Sequence, residues 1–107
     1  MKYWLILGLA IGLEVAGTIS MKLSDGFSKL VPSILIFVFY AASFAALTFT
    51  LKKIEISVAY AVWSGVGTAL IATIGILYFK EAATTLKFVS LFLIVAGVVG
   101  LKIGSAT

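Results

Sequence analysis

"GLAIGLEVAGTISMK", residues 8–22, is an apolar run with a single carboxylate inside it. Glu14 has no charged residue nearer than Lys22, and its neighbours Leu13 and Val15 are apolar. Long apolar runs like this one recur along the chain. Of 107 residues, 63% are hydrophobic and only 11% charged, with a mean hydropathy of +1.25. A soluble domain usually carries about a quarter charged residues. The chain therefore prefers hydrocarbon to water and reads as a membrane protein. A helix crossing about 30 Å of hydrocarbon needs roughly 20 mostly apolar residues. Four runs meet that test, at approximately 3–21, 32–51, 57–79 and 86–103. Lipid offers the backbone no hydrogen bonds, so each run is expected to be a helix. Their lengths do not suit barrel strands, and no alternating pattern repeats at about ten residues. The fold class is thus an all-α membrane protein of four short transmembrane helices, forming a single domain over 1–107.

The connectors are short. "KLSDGFSKLVP" holds an Asp-Gly turn pair and ends at Pro32, the only proline, which suits the first turn of the second helix. "KKIEIS" and "KEAATTLK" join the remaining helices. Met1-Lys2 ahead of an apolar stretch could open a secretory signal. Glu14 interrupts that stretch, however, and a turn-and-lysine segment follows where a cleavage site would stand, so a retained helix is expected.

Cysteine and histidine are absent, which removes disulfides, thiolate metal sites and the usual neutral-pH proton acceptor. Neither a metal, a cofactor nor a catalytic group is expected. The net charge of +4 comes from lysines scattered between apolar runs, which does not resemble a nucleic-acid footprint. With four crossings, the termini and the middle loop share one side. That side carries Lys2, Lys52, Lys53 and Lys102; the other carries Lys22, Lys29, Lys80 and Lys87. Such a balance gives the positive-inside rule nothing to act on. Either orientation is set by something else, or copies insert both ways and pair antiparallel.

Glu14 lies near the middle of its crossing, too deep to snorkel easily. Insertion scales put an Asp at a helix centre at about 2.5–3.5 kcal/mol. A carboxyl group reduces that cost by staying protonated. It then binds a proton or a cation, but not easily both. The plainer alternative is a Glu that glues neighbouring helices, although Gln would do this without the ionisation cost. Helical spacing puts Leu7, Ala10, Gly17 and Met21 on the face of Glu14, with Ile11 and Thr18 beside it. Small residues on that face let another helix or a ligand approach.

Two further helices carry polar aromatics. In "SVAYAVWSGVG", Tyr60 and Trp63 share one face. Aromatic faces attract cations, more strongly where water is excluded. Interfacial belt aromatics are the ordinary alternative, which fits Tyr60 near the helix end better than Trp63 deeper inside. Gly65 and Gly67 could form a hinge. On the second helix, Tyr40 and Ser43 fall near mid-membrane. A buried tyrosine hydroxyl needs a partner, and Glu14 is the one anionic group expected at that depth. Ser90, Gly97 and Gly100 trace a small-residue stripe on the last helix, suited to packing or self-association. Asp25, Glu55 and Glu81 sit in turns or loops and read as solvated surface charges.

"LEVAGTISMKLSDGFSKL" together with "SVAYAVWSGVG" closely resembles the small multidrug resistance family of bacterial exporters, over essentially the whole chain. The resemblance implies a multi-pass inner-membrane antiporter working as an antiparallel homodimer of eight helices. It would exchange protons for a cation and need no cofactor beyond the proton gradient. The family's proton- and substrate-binding Glu maps onto Glu14, and its site aromatics onto Tyr40, Tyr60 and Trp63. Ser43 matches a residue that contacts that Glu, while Leu7, Ala10, Ile11, Gly17 and Thr18 match the binding face. The guanidinium-exporting branch resembles Glu-x-x-Trp after the acid, and Gly17 stands there in this chain. "EVAGT" looks like the branch that exports bulky aromatic and quaternary ammonium cations. A guanidinium or small-cation exporter, or one half of a heteromeric pair, is the alternative. Ser90 stands where a Gly of the packing stripe would be expected. Outside this family, a rotor subunit of a rotary ATPase or a non-transporting scaffold would also be a small helical membrane protein. The Trp-Ser-Gly segment and the lack of a long glycine repeat argue against the rotor, and Glu14 argues against the scaffold.

Overall fold

The computed structural model describes residues 1–105. Four helices follow one another: α1 (Lys2–Leu23), α2 (Leu30–Thr50), α3 (Ile56–Leu77) and α4 (Thr85–Ile103). All four are long and apolar enough to cross a membrane. They group into two compact units, Met1–Lys53 and Ile54–Thr107, each built around one helical hairpin.

In the first unit, α1 extends past the apolar run at both ends to include Lys2 and Lys22–Leu23. Lys22 in the last turn suits the negative end of the helix dipole. Helix α2 begins at Leu30, slightly earlier than expected, and Pro32 still falls in its first turn, where backbone N–H groups have no helical partner.

The turn between them is organised by Ser24, only 2% exposed. Its hydroxyl donates to the Met21 carbonyl (2.8 Å) and accepts from Phe27 N–H (3.2 Å). Its carbonyl accepts from the N–H groups of Ser28 (2.9 Å) and Lys29 (3.1 Å). The expected Asp-Gly turn is there, but three consecutive residues are left-handed: Asp25 (φ 49°), Gly26 (φ 68°) and Phe27 (φ 68°). A bulky residue such as Phe27 adopts that conformation at a cost of about 1–2 kcal/mol. Its ring stacks on Phe37 of α2, with centroids 6.4 Å apart, which contributes to offsetting the strain.

Helices α1 and α2 meet through small residues. At Gly17 an added Cβ would lie 3.0 Å from the Tyr40 ring and 3.3 Å from Phe39 Cβ. Ser43, fully buried, donates its hydroxyl to the Ala10 carbonyl at 2.7 Å. Both contacts follow from the lack of bulk on this face of α1, which lets the backbones approach.

In the second unit, Gly65 provides the close approach. A Cβ there would lie 2.5 Å from Val98 Cγ2 and 3.5 Å from Ile94 Cγ2 of α4. Helix α3 runs unbroken through Gly65 and Gly67, and in this conformation Gly65 is a seat for Val98. At its C-terminus α3 stops at Leu77, short of the expected Phe79. The chain folds back there: Phe79 and Glu81 N–H groups both reach the Gly75 carbonyl, at 3.1 and 3.0 Å. Lys80 takes a left-handed φ of 57° to make that reversal. The Glu81 carboxyl then occupies the space where a Gly75 Cβ would stand, so Glu81, although exposed, is more than a free surface charge. Thr84 caps α4 by accepting from Lys87 N–H at 3.1 Å. Helix α4 buries no residue, and Gly97 and Gly100 meet no side chain.

Glu55 also departs from the surface-charge expectation. It is the N-cap residue of α3, and its Oε2 is buried. The positive end of the helix dipole favours a carboxylate at that position, although its side chain caps no N–H.

Candidate functional site

Helical spacing on α1 brings Glu14 and Thr18 one turn apart, and the Thr18 hydroxyl donates to Glu14 Oε1 at 2.9 Å. From α2, the Tyr40 hydroxyl meets Thr18 Oγ1 at 2.5 Å. Tyr40 lies there because Gly17 leaves room for its ring against the α1 backbone. The Tyr40 hydroxyl also reaches Met21 Sδ at 3.8 Å. Glu14, Thr18 and Tyr40 are all half-buried. One carboxyl group, two hydroxyls and a thioether thus form a single chain.

Two expectations about this cluster change. Tyr40 does not find the carboxylate directly; its partner is the Thr18 hydroxyl, which itself donates to Glu14. Ser43, matched by resemblance to a contact of the acid, gives its one proton to the Ala10 carbonyl, a turn before Glu14. A hydroxyl has only one donor. Ser43 therefore pins α2 to α1 beside the site, and Thr18 takes the place on the carboxylate. Leu7, Ala10 and Ile11 are buried on the same helix, at 1%, 0% and 4% exposure. Helical spacing puts them on or beside the face of α1 that carries Glu14.

The second unit carries an aromatic pair of its own. Tyr60 and Trp63 pack ring to ring with centroids 5.6 Å apart and a 39° tilt. Tyr60 is 60% exposed, and with Ile56, Ser57, Ala61 and Ser64 it lines an open depression on α3. The Ser64 hydroxyl turns inward onto the Tyr60 carbonyl at 2.5 Å, leaving the ring face as the main feature of that depression. An exposed ring of this kind presents a π face that attracts positive charge. Gly67 is buried within α3.

In the sequence Met21 lies on the Glu14 face with no role evident, and nothing there shows the bridging position of Thr18. Spacing shows that Glu14, Thr18 and Met21 share a side of α1, but only the α2 register shows which hydroxyl Tyr40 meets.

Four membrane-crossing helices with an ionisable group midway along the first define a small multi-pass membrane protein. Residues 2–94 match the Small Multidrug Resistance protein family. The chain is 56% identical over 100 residues to the "Uncharacterized membrane protein YvaE" of Bacillus subtilis, covering 94% of this chain and 84% of that one. It is 44% identical over 102 residues to a "Guanidinium exporter" of Yersinia pseudotuberculosis and to one of Yersinia pestis, covering 95% of this chain and 98% of each. The chain belongs to the small multidrug resistance family, and is an exporter of the bacterial inner membrane.

Proposed function

We infer that the protein exports lipophilic aromatic or quaternary ammonium cations in exchange for protons, the two competing for Glu14. The contact at Gly17 carries this reading. A ring from α2 already fills the space over that residue, so the position three after the acid has no room for a tryptophan. The Glu-x-x-Trp pattern that the small-cation branch resembles therefore has no place here, which favours the branch that takes larger cations. Deprotonated, Glu14 is an anion that attracts a cation, steadied by Thr18 and Tyr40. Protonated, it is neutral and lets the cation go. Tyr60 and Trp63 supply ring faces for an aromatic or quaternary ligand.

Two copies, inserted in opposite senses, would supply two such carboxylates. The even lysine distribution and the uncovered Gly97 and Gly100 of α4 support that arrangement. Cycling between two access states would let the inward proton gradient drive the cation outward, with no cofactor. Two relatives bear the name guanidinium exporter at 44% identity, which favours a small planar cation as the second reading.

Proton release separates them. Weakly buffered, purified protein should release protons when a tetraphenylphosphonium-type cation is added, and Glu14→Gln should release none. Release with guanidinium alone would move the assignment to the small-cation branch. Silence with both would overturn antiport.

A further inference from the structure

The contacts around Glu14 can be counted in protons. Three links join four groups: Glu14 to Thr18, Thr18 to Tyr40, and Tyr40 to Met21 Sδ. Each link needs one proton, and each hydroxyl brings one. The thioether sulfur only accepts. With Glu14 ionised there are two protons for three links. Thr18 must then donate to the carboxylate and Tyr40 to Thr18, which leaves nothing for the sulfur. With Glu14 protonated there are three protons. All three links are filled only if the direction reverses, with Glu14 donating to Thr18, Thr18 to Tyr40, and Tyr40 to Met21. Keeping the old direction would strand the acid's own O–H in a setting poor in water, where an unmade hydrogen bond is costly.

We propose that Thr18, Tyr40 and Met21 form a hydrogen-bond chain that reverses direction when Glu14 takes up a proton, with Met21 Sδ as the terminal acceptor of the protonated state. The chain starts on α1, crosses to α2 at Tyr40 and returns to α1 beside Lys22. It carries the protonation state of a mid-span acid to the end of the helix without any charge moving along it. Met21 thereby becomes a positioning residue, since its sulfur stabilises the neutral acid and gives the ionised acid nothing. This inference rests on the proposed reading that Glu14 is the proton site. The other titratable side chains on α1 are Lys2, Tyr3 and Lys22, and Tyr40 is the only one on α2.

The test is methyl NMR of the full-length protein in lipid bicelles, labelled at methionine Cε and glutamate Cδ, across pH. The Met21 methyl is assigned by its loss in Met21→Leu. Its resonance should move with the same midpoint as the Glu14 carboxyl. Thr18→Val keeps the shape but cuts the chain, so it should flatten the Met21 response while Glu14 still titrates; Thr18→Ser should restore it. Glu14→Gln has a permanent N–H donor and should hold Met21 at its acid-form position at every pH. Lys22→Gln should leave the Met21 response in place. In Met21→Leu, loss of one weak acceptor should lower the proton affinity of Glu14 by about 2-fold. A Met21 signal that still follows Glu14 in Thr18→Val would be a through-space field effect and would overturn the chain. So would a flat Met21 beside a titrating Glu14 in the wild type. A Glu14 that fails to titrate at all would overturn the antiport reading, and the chain with it.

Discussion

The two hairpins solve the same packing problem by different means. Between α1 and α2, small residues admit polar side chains, and the helices are tied by Ser43 to Ala10 and by Tyr40 to Thr18. Between α3 and α4 a bare glycine, Gly65, receives Val98 in direct van der Waals contact. The helices also differ in burial. Helix α1 buries Leu7, Ala10, Ile11, Val15, Gly17 and Ser20, whereas α4 buries nothing. In lipid, apolar side chains gain little from leaving the solvent, so exposure of a greasy helix is cheap while an unmade hydrogen bond is not. The hairpin that carries Glu14 is therefore the one held by directional bonds. The other is free to present its apolar and aromatic surface.

That contrast is open to breaking, most strongly at the acid. Glu14→Gln should abolish proton-coupled export of an aromatic cation from loaded proteoliposomes while leaving thermal unfolding in detergent nearly unchanged. Retained coupled transport would detach function from the first hairpin. The next largest effect belongs to the second. Gly65→Leu places side-chain atoms where Val98 already sits and should lower stability by about 1–3 kcal/mol, as overpacking does. Val98→Ala in the same chain should recover part of that loss, as read by the detergent melting temperature; no recovery would mean that the Gly65–Val98 contact does not set the packing.

Trp63→Ala should weaken aromatic-cation binding by about 1–2 kcal/mol, through loss of a partly desolvated cation–π face. Isothermal titration with the wild type as reference measures this, and an unchanged affinity would make the Tyr60–Trp63 pair purely structural. The smallest effect is expected at Ser43. Interhelical hydrogen bonds in membranes average about 0.6 kcal/mol, so Ser43→Ala should lower stability by roughly that amount. A loss of several kcal/mol would show that this one bond, and not the small-residue face, holds the first hairpin together.

Much of the fold was legible because the bilayer leaves so few options. Apolar runs of spanning length with no water to satisfy the backbone must be helices, so all four were found with ends displaced by a few residues. The displacements have local causes. Helix α3 ends early because Phe79 and Glu81 turn back onto the Gly75 carbonyl, and α2 begins early because a helix's first turn tolerates Pro32. The site was legible in part. An isolated acid at mid-span announces itself by its cost, and the 3.6-residue period places Thr18 and Met21 on its face. Glu55 was not legible, because loop carboxylates beside lysines are usually solvated and nothing in "KKIEIS" shows that one oxygen is buried at the start of α3.

By itself, then, the sequence determined the medium, the four crossings, the family and the acid at the centre of the first helix. These follow from transfer free energy and helical period, which act along the chain. Only the tertiary structure decided that Thr18 stands between Tyr40 and Glu14, that Ser43 serves Ala10, and that Gly65 receives Val98. Those pairings depend on the register between neighbouring helices, set by which small residue admits which ring or methyl group. A shift of one residue would rotate a side chain by about 100° around its helix, which would break every one of them.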